Sequence, residues 1–238
     1  MNKRAFINKI KDFFRGNKLT AATYRLLKSI RRRDEAKRKQ QKRETLQKNG
    51  IALIHLVQDL LTDEFFHFDM GTLLGIVREG RLLGHDVDVD IALHIKQRDE
   101  IDRIREILKS KGCQINSSFS VDGIGTVEDS FYVMGIKFDM AYYFENPDKD
   151  VTYLMYKDPN NPPKENLFNV VELECSPIRE LTQIEFGGKM INVPKDSEKY
   201  LGERYGANWR IPDKNYIYWR GPSAKPTDYV GRKTTYDC

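Results

Sequence analysis

Between Gly71 and Ile95 the chain reads GTLLGIVREGRLLGHDVDVDIALHI, and its three aspartates, Asp86, Asp88 and Asp90, stand two residues apart. A strand turns successive side chains to opposite faces. All three acids are therefore predicted on one face, with Val87, Val89 and Ile91 on the other. Like charges in such a row repel. A fold keeps them when a cation stands between them, and a divalent metal is the simplest such cation. Asp88 and Asp90 flank a single residue, which sets their carboxylates roughly 6–7 Å apart from the strand rise.

A second acid in an apolar setting lies downstream, in KFDMAYYF, where Asp139 is surrounded by hydrophobic and aromatic residues. Two readings account for it. Asp139 pairs with a buried Lys or Arg, or an adjacent strand brings it beside Asp88 and Asp90 as a third carboxylate. Hard oxygen donors without a His or Cys cluster point to Mg²⁺ or Mn²⁺ rather than zinc, with Asp88, Asp90 and Asp139 as ligands. Asp86 is expected to ligate or to shape the site from behind. Upstream, Gly71 lets the backbone approach a ligand closely, and its amide with the Thr72 hydroxyl forms an expected phosphate seat. Arg78 and Arg81 would neutralise a pyrophosphate. Together these residues make up the parts of a phosphoryl-transfer site, with Asp139 also able to deprotonate an attacking hydroxyl.

The surrounding pattern predicts an α+β fold. Ile51–Leu61 is almost wholly apolar and reads as a buried helix, with His55 as a core histidine. Phe65, Phe66 and Phe68 suggest a short strand or turn. A helix opens at Gln97-Arg98-Asp99, buries Ile101, Ile104, Ile107 and Leu108, and stops at Gly112. Strand-like segments follow at Cys113–Phe119, Phe131–Phe144 and Val151–Tyr156. Residues 157–166 are rich in turn formers, Phe168–Glu174 reads as a strand, and Ile184–Val193 as a hairpin turning at Gly187-Gly188. Pro194 is expected to open a helix that Gly206 ends. In the tail, Arg210, Tyr216, Trp219 and Arg220 either line a substrate pocket or pack against the sheet.

Charge is distributed unevenly. Residues 1–50 carry 17 Lys and Arg against 4 Asp and Glu, whereas the rest carries 23 against 31. The expected organisation is a basic helical arm, 1–50, and one catalytic domain, 51–238. Phe6, Ile7, Ile10, Phe13 and Phe14 recur at helical spacing in the arm, and a second segment holds Tyr24, Leu26, Leu27 and Ile30. Aromatics with a cationic face fit the surface of an anionic membrane or a membrane-enzyme partner. Phosphate contacts to nucleic acid are the weaker alternative, since no stacking residues are interleaved with the charges. No apolar run is long enough to span a bilayer, and no secretory signal is read. Cys113, Cys175 and Cys238 form no disulfide or zinc spacing, so a cytoplasmic location is expected, peripheral to the inner face of the membrane if the arm binds there.

A glycine-hydroxyl pair, a D-h-D strand (h apolar) and a later acid resemble the nucleotidyltransferase fold, a mixed sheet with flanking helices. The likeness goes further. GTLLGIVREGRLLGHDVDVDIAL resembles the central motif of the LicD family, which includes the fukutin-related proteins: GTLLG-x-h-R, a spacer, then W-D-D-D-I-D-I. INVPKDSEKYLGERYGANWRIP is similar to that family's closing segment. His85 stands where the family has Trp, and Val87 where it has Asp. The resemblance implies transfer of a phosphorylated group, such as phosphocholine or ribitol phosphate, from a CDP-linked donor to a hydroxyl of a glycan or glycolipid, with release of CMP. It carries Gly71 and Thr72 onto the phosphate turn, Arg78 onto the family arginine, and Asp86, Asp88 and Asp90 onto motif aspartates. Two rivals remain from the residues alone: a nucleotidyltransferase that transfers the nucleotide itself, and a non-catalytic protein that docks through its basic arm.

Overall fold

A computed structural model describes residues 18–159, 163, 164 and 166–236. The expected amphipathic segment at Phe6–Phe14 and Cys238 lie outside these residues. The chain divides into two compact units, Met1–Glu44 and Thr45–Cys238.

In the first unit, the described residues belong to helix α1 (Lys18–Leu60), which continues into the second unit. The separate helix expected from Ile51 is thus the last part of a longer one. Nothing between Thr20 and Leu60 breaks a helix except Gly50, and a single glycine costs only about 1 kcal/mol there. Residues 23–42 are exposed, Tyr24, Leu26, Leu27 and Ile30 included. Among the described residues no helix is long and apolar enough to cross a membrane.

The second unit is a mixed α+β assembly. Its elements are β1 (Phe66–Phe68), α2 (Met70–Glu79), β2 (Asp88–Ile95), α3 (Asp99–Ser110), β3 (Gln114–Val121), β4 (Gly125–Val133), β5 (Ile136–Glu145), β6 (Asp150–Tyr156), β7 (Leu167–Cys175), β8 (Leu181–Phe186), β9 (Lys189–Pro194), α4 (Ser197–Tyr205), a 3-10 turn (Tyr218–Arg220) and β10 (Ala224–Thr235). Eight strands form one sheet in the order β1-β2-β5-β4-β3-β10-β7-β6, and β6 pairs again with the end of β5 through Phe144 and Val151. Within this sheet β2 and β5 run parallel, while the other strand pairs are antiparallel. β8 and β9 make a separate hairpin.

Strand alternation sorts the two faces of the sheet. Val89, Ile91, Leu93 and Ile95 of β2 join Phe138, Met140 and Tyr142 of β5 in the main core. Leu46, Leu53, Ile54 and Val57 from the end of α1, and Ile101, Ile104 and Leu108 of α3, complete that core. The opposite face carries the acids. A second cluster, of Leu73, Leu74, Leu83, Val193, Tyr200, Leu201 and Trp209, packs α2 and α4 together.

Two sequence expectations are corrected, and one segment without an expectation proves to be a strand. Phe131–Phe144 is a hairpin rather than one strand, since Met134 and Gly135 both take positive φ (55° and 74°) at a two-residue turn. Such turns match the right-handed strand twist, and glycine supplies the second position freely. Pro194 ends β9 instead of opening a helix; α4 starts three residues later, where the Asp196 side chain accepts a 3.0 Å bond from the Lys199 amide. Beyond Trp219, the tail's Ala224–Thr235 inserts between β3 and β7 as a strand.

Candidate active site

The register of the sheet brings the predicted acids together. In the parallel pair β2–β5, Asp88 stands opposite Lys137 and Asp90 opposite Asp139. In the antiparallel pair β4–β5, Ser130 stands opposite Asp139, Tyr132 opposite Lys137 and Glu128 opposite Ala141. Opposed residues share a face, so Asp88, Asp90, Lys137, Asp139, Ser130 and Glu128 form one polar patch on the side away from the main core.

Lys137 ties the patch together. Its Nζ lies 2.9 Å from Asp88 Oδ2 and also contacts Asp139 Oδ2. Ser130 Oγ donates to the other Asp139 oxygen at 2.6 Å. Asp139 thus satisfies both readings of the sequence at once: it pairs with a lysine, and an adjacent strand holds it beside Asp90. Burial works against the Lys137 ammonium, but Asp139 and Asp88 outweigh it and raise its pKa. Burial lifts Asp139, with Lys137 opposing. Asp90 is raised well above the usual carboxylate range, first by burial and then by the charges of Asp88, Asp139 and Asp86.

Asp86 is pushed up to about 6, by burial first, with Asp88 and Glu79 adding and His85 opposing. It lies against the start of α2. A Cβ at Gly71 would stand 2.8 Å from Asp86 Oδ2, so glycine is what lets this carboxylate approach the positive end of the helix. Thr72 is fully buried, and its Oγ1 accepts a 2.9 Å hydrogen bond from the Asp90 amide. The glycine-hydroxyl pair therefore sits in the first turn of a helix, where it fixes the positions of Asp86 and Asp90.

Just before it, Met70 holds a φ of 46°, a conformation that costs a non-glycine residue about 1–3 kcal/mol. Asp69 over-determines that geometry. Its amide donates to the Asp90 carbonyl at 3.0 Å. Its buried carboxylate accepts from Tyr143 (2.7 Å), Tyr200 (2.6 Å) and Arg204 (3.2 Å). Burial would raise the Asp69 pKa, but Arg204, His67 and the two tyrosines hold it below the usual range.

The remaining predicted residues lie at varying distances from the patch. Arg78 donates to the Trp209 carbonyl at 3.2 Å and pairs with Glu79 at 2.9 Å, within electrostatic reach of Asp86. Arg81 is exposed and pairs with Glu79. Arg210 lies over the Trp209 ring and pairs with Glu198 on α4, among contacts separate from the acids. Tyr216 packs on Tyr205 with ring centres 4.9 Å apart, and the Tyr205 hydroxyl lies close enough to feel Asp90. Trp219 stacks on Tyr156 at 5.0 Å, and Tyr218 stands edge-on to it at 4.8 Å. Arg220 is exposed.

Sequence reasoning missed Lys137 and Glu128. Lys137 stands two residues before Asp139, and strand periodicity alone puts it on the same face. Glu128 required the β4–β5 register. Burial, then Asp139, pushes its carboxyl up to about 8 despite Lys137 nearby, and it neighbours Tyr218.

The donor set suits a hard divalent cation: oxygen ligands on rigid strands, with Asp86 and Asp90 raised first by burial and then by neighbouring carboxylates. Asp88 and Asp90 would carry it. Among the described residues no three His, Cys, Asp or Glu side chains converge on one point, and Lys137 contacts both Asp88 and Asp139.

Comparison with known proteins places the chain in a family. The chain is 25% identical over 162 residues to the human (Homo sapiens) protein named ribitol-5-phosphate transferase FKTN, across 66% of this chain and 32% of that protein. The Macaca fascicularis protein of the same name gives the same figures. The chain thus spans about a third of the length of these curated relatives. The family model described as LicD/FKTN/FKRP, nucleotidyltransferase domain, matches residues 65–196, more than half of the chain, from the strand before Asp69 to the cap of α4. With its acids, its Gly71-Thr72 pair and its α4 segment all in or bordering that stretch, the chain belongs to the LicD/FKTN/FKRP family.

Proposed function

We propose that this protein is a metal-dependent phosphotransferase of nucleotidyltransferase-like fold, which moves a phospho-alditol or phosphocholine group from a CDP-linked donor to a sugar hydroxyl of a surface polysaccharide or glycolipid and releases CMP. The observation that carries this reading is the register that sets Asp90 beside Asp139 on the same face as Asp88 and Lys137. Family membership supports the reaction class, and the name of the human relative supports an alditol phosphate as cargo.

A bound Mg²⁺ or Mn²⁺ would polarise the donor pyrophosphate and offset its charge. Asp88 and Asp90 would hold that ion, and Thr72 keeps Asp90 in register through its backbone. Gly71 makes room at the α2 N-terminus for the Asp86 carboxylate. Arg78 and Arg81 add positive charge on the same side. Asp139 is the third acid of the site. Glu128, whose carboxyl is pushed up to about 8, neighbours Tyr218, on the side where an acceptor hydroxyl would lose its proton. Tyr216 and Trp219 would line the approach with Arg220, while Arg210 is engaged apart from it with Trp209 and Glu198.

We further propose that residues 1–50 bind the surface of an anionic membrane on the cytoplasmic side, which would bring the enzyme to a glycolipid acceptor. The exposed basic surface of α1 between residues 23 and 44 supports this. Co-sedimentation with anionic liposomes tests it: full-length protein is expected to pellet and a chain starting near residue 45 to remain in solution. Equal behaviour of the two would overturn it.

The reaction itself is tested by incubating the protein with a panel of CDP-linked donors and Mg²⁺ or Mn²⁺, then identifying the products. CMP with transferred cargo supports the proposal. Pyrophosphate with transferred nucleotide would replace it with a nucleotidyltransferase.

A further inference from the structure

We propose that Lys137 is a built-in cation of this site, standing where a second divalent ion would otherwise bridge Asp88 and Asp139, so that the chain takes one Mg²⁺ or Mn²⁺ rather than two. The inference rests on the metal-dependent reading above and deepens it.

Phosphoryl-transfer sites often use two divalent ions about 3.5–4 Å apart, each bound by oxygens at about 2.0–2.2 Å. An ion shared by Asp88 and Asp139 would have to stand between the facing oxygens of two neighbouring strands. That place is taken. Lys137 Nζ is 2.9 Å from Asp88 Oδ2 and touches Asp139 Oδ2.

Two features make the ammonium hard to displace. Its stem rises from a strand position directly opposite Asp88, with Ile136 and Phe138 on either side fully committed to the core. Its anchor, Asp139, is held in turn by Ser130 through the other carboxylate oxygen. Both oxygens of Asp139 are thereby engaged, which makes Asp139 the support of Lys137 instead of a ligand. The carboxylates that Lys137 does not touch are Asp90 and Asp86, and with Asp88 they would hold the single divalent ion. A fixed ammonium also costs no metal-binding equilibrium, so one of the two positive charges facing the donor phosphates is present before any ion arrives.

The test is a count of bound Mn²⁺ on the full chain without nucleotide, by loss of the free-ion electron paramagnetic resonance signal. Wild type and Lys137→Arg are expected to bind one ion per chain. Lys137→Met and Lys137→Gln are expected to bind two, with the spin-coupled spectrum of a close pair. Circular dichroism and thermal melting confirm that each variant is folded. Two ions on the wild type, or one on the wild type and on whichever neutral variants fold, would overturn the inference while leaving metal dependence intact. No ion on any of the proteins would overturn the metal-dependent reading itself, and this inference with it.

Discussion

Thr72 and Asp90, eighteen residues apart, are joined by a hydrogen bond of 2.9 Å from the Asp90 amide to the Thr72 hydroxyl oxygen. The bond fastens the first turn of α2 to the strand that carries the acids. Thr72→Val keeps the shape and removes the acceptor, leaving a buried amide unsatisfied at a cost of about 1–3 kcal/mol. A displacement of Asp90 by about 1 Å would also cost about 10²-fold in turnover. Thr72→Ser is expected to restore most of both. Urea titration and CMP-release kinetics on the two variants check this; equal behaviour of Val and Ser would show that the bond does not matter.

Gly71 is predicted to tolerate no side chain. The Cβ of Gly71→Ala would meet Asp86 Oδ2 at 2.8 Å and push that carboxylate off the helix start. Overpacking of this kind costs about 1–3 kcal/mol. The expected result is a lower melting temperature together with weakened donor binding, read by calorimetry. Gly71→Ala combined with Asp86→Ala should recover the stability, since the clash is then gone, without recovering the activity.

The buried Asp69–Arg204 pair is predicted to be the costliest to break. Arg204→Met leaves Asp69 without its cation, and removing one partner of a buried pair costs about 3–5 kcal/mol. Tyr200→Phe removes one donor of several and should cost about 1 kcal/mol. Because Asp69 also holds the strained Met70, Arg204→Met should lower activity beyond its effect on the folded fraction. Chemical denaturation with parallel single-turnover assays separates the two effects.

Stability without metal is predicted to fall as pH rises. The Glu128 carboxyl titrates near 8 when folded against an ordinary 4.5, so the native state holds the extra proton between these values. Unfolding then releases protons, and its free energy decreases with pH. The stabilisation is present below about pH 4.5 and lost as pH passes through about 8. Asp86, raised to about 6 from 3.8, adds the same trend at lower pH. Thermal melts in chelator between pH 5 and 9 should decline, and Glu128→Gln should flatten the upper part of that decline. An unchanged slope in the variant would refute the assignment.

The acids of β2 were legible because strand alternation needs no tertiary knowledge: Asp88-Val89-Asp90-Ile91 sorts itself into a charged and an apolar face. The helix with Ile101, Ile104 and Leu108 was legible for the same reason, at period 3.6. The gathering of Asp139 with Asp90 was only one of two open readings, since it depends on which strand lies beside β2 and in what register. Lys137 lies within reach of the same period-two argument but outside the acidic pattern of β2. Glu128 and Ser130 were hidden by the reading of Phe131–Phe144 as one strand, which concealed the Met134-Gly135 turn and the β4 partner. β10 gave the weakest signal. Ala224–Thr235 has no clear alternation, and its strand state comes from the open edges of β3 and β7 that receive it.

The most direct test of the central claim is CMP release from CDP-linked donors with Mg²⁺ or Mn²⁺, compared between wild type and Asp88→Asn. Asn keeps the size of the side chain while removing the charge that both the metal and Lys137 need. The expected result is metal-dependent CMP release matched by cargo transfer in the wild type, and background release in a variant whose circular dichroism spectrum is unchanged. Release that persists undiminished in folded Asp88→Asn, or that needs no divalent metal, would contradict the assignment of this face of the sheet as the active site.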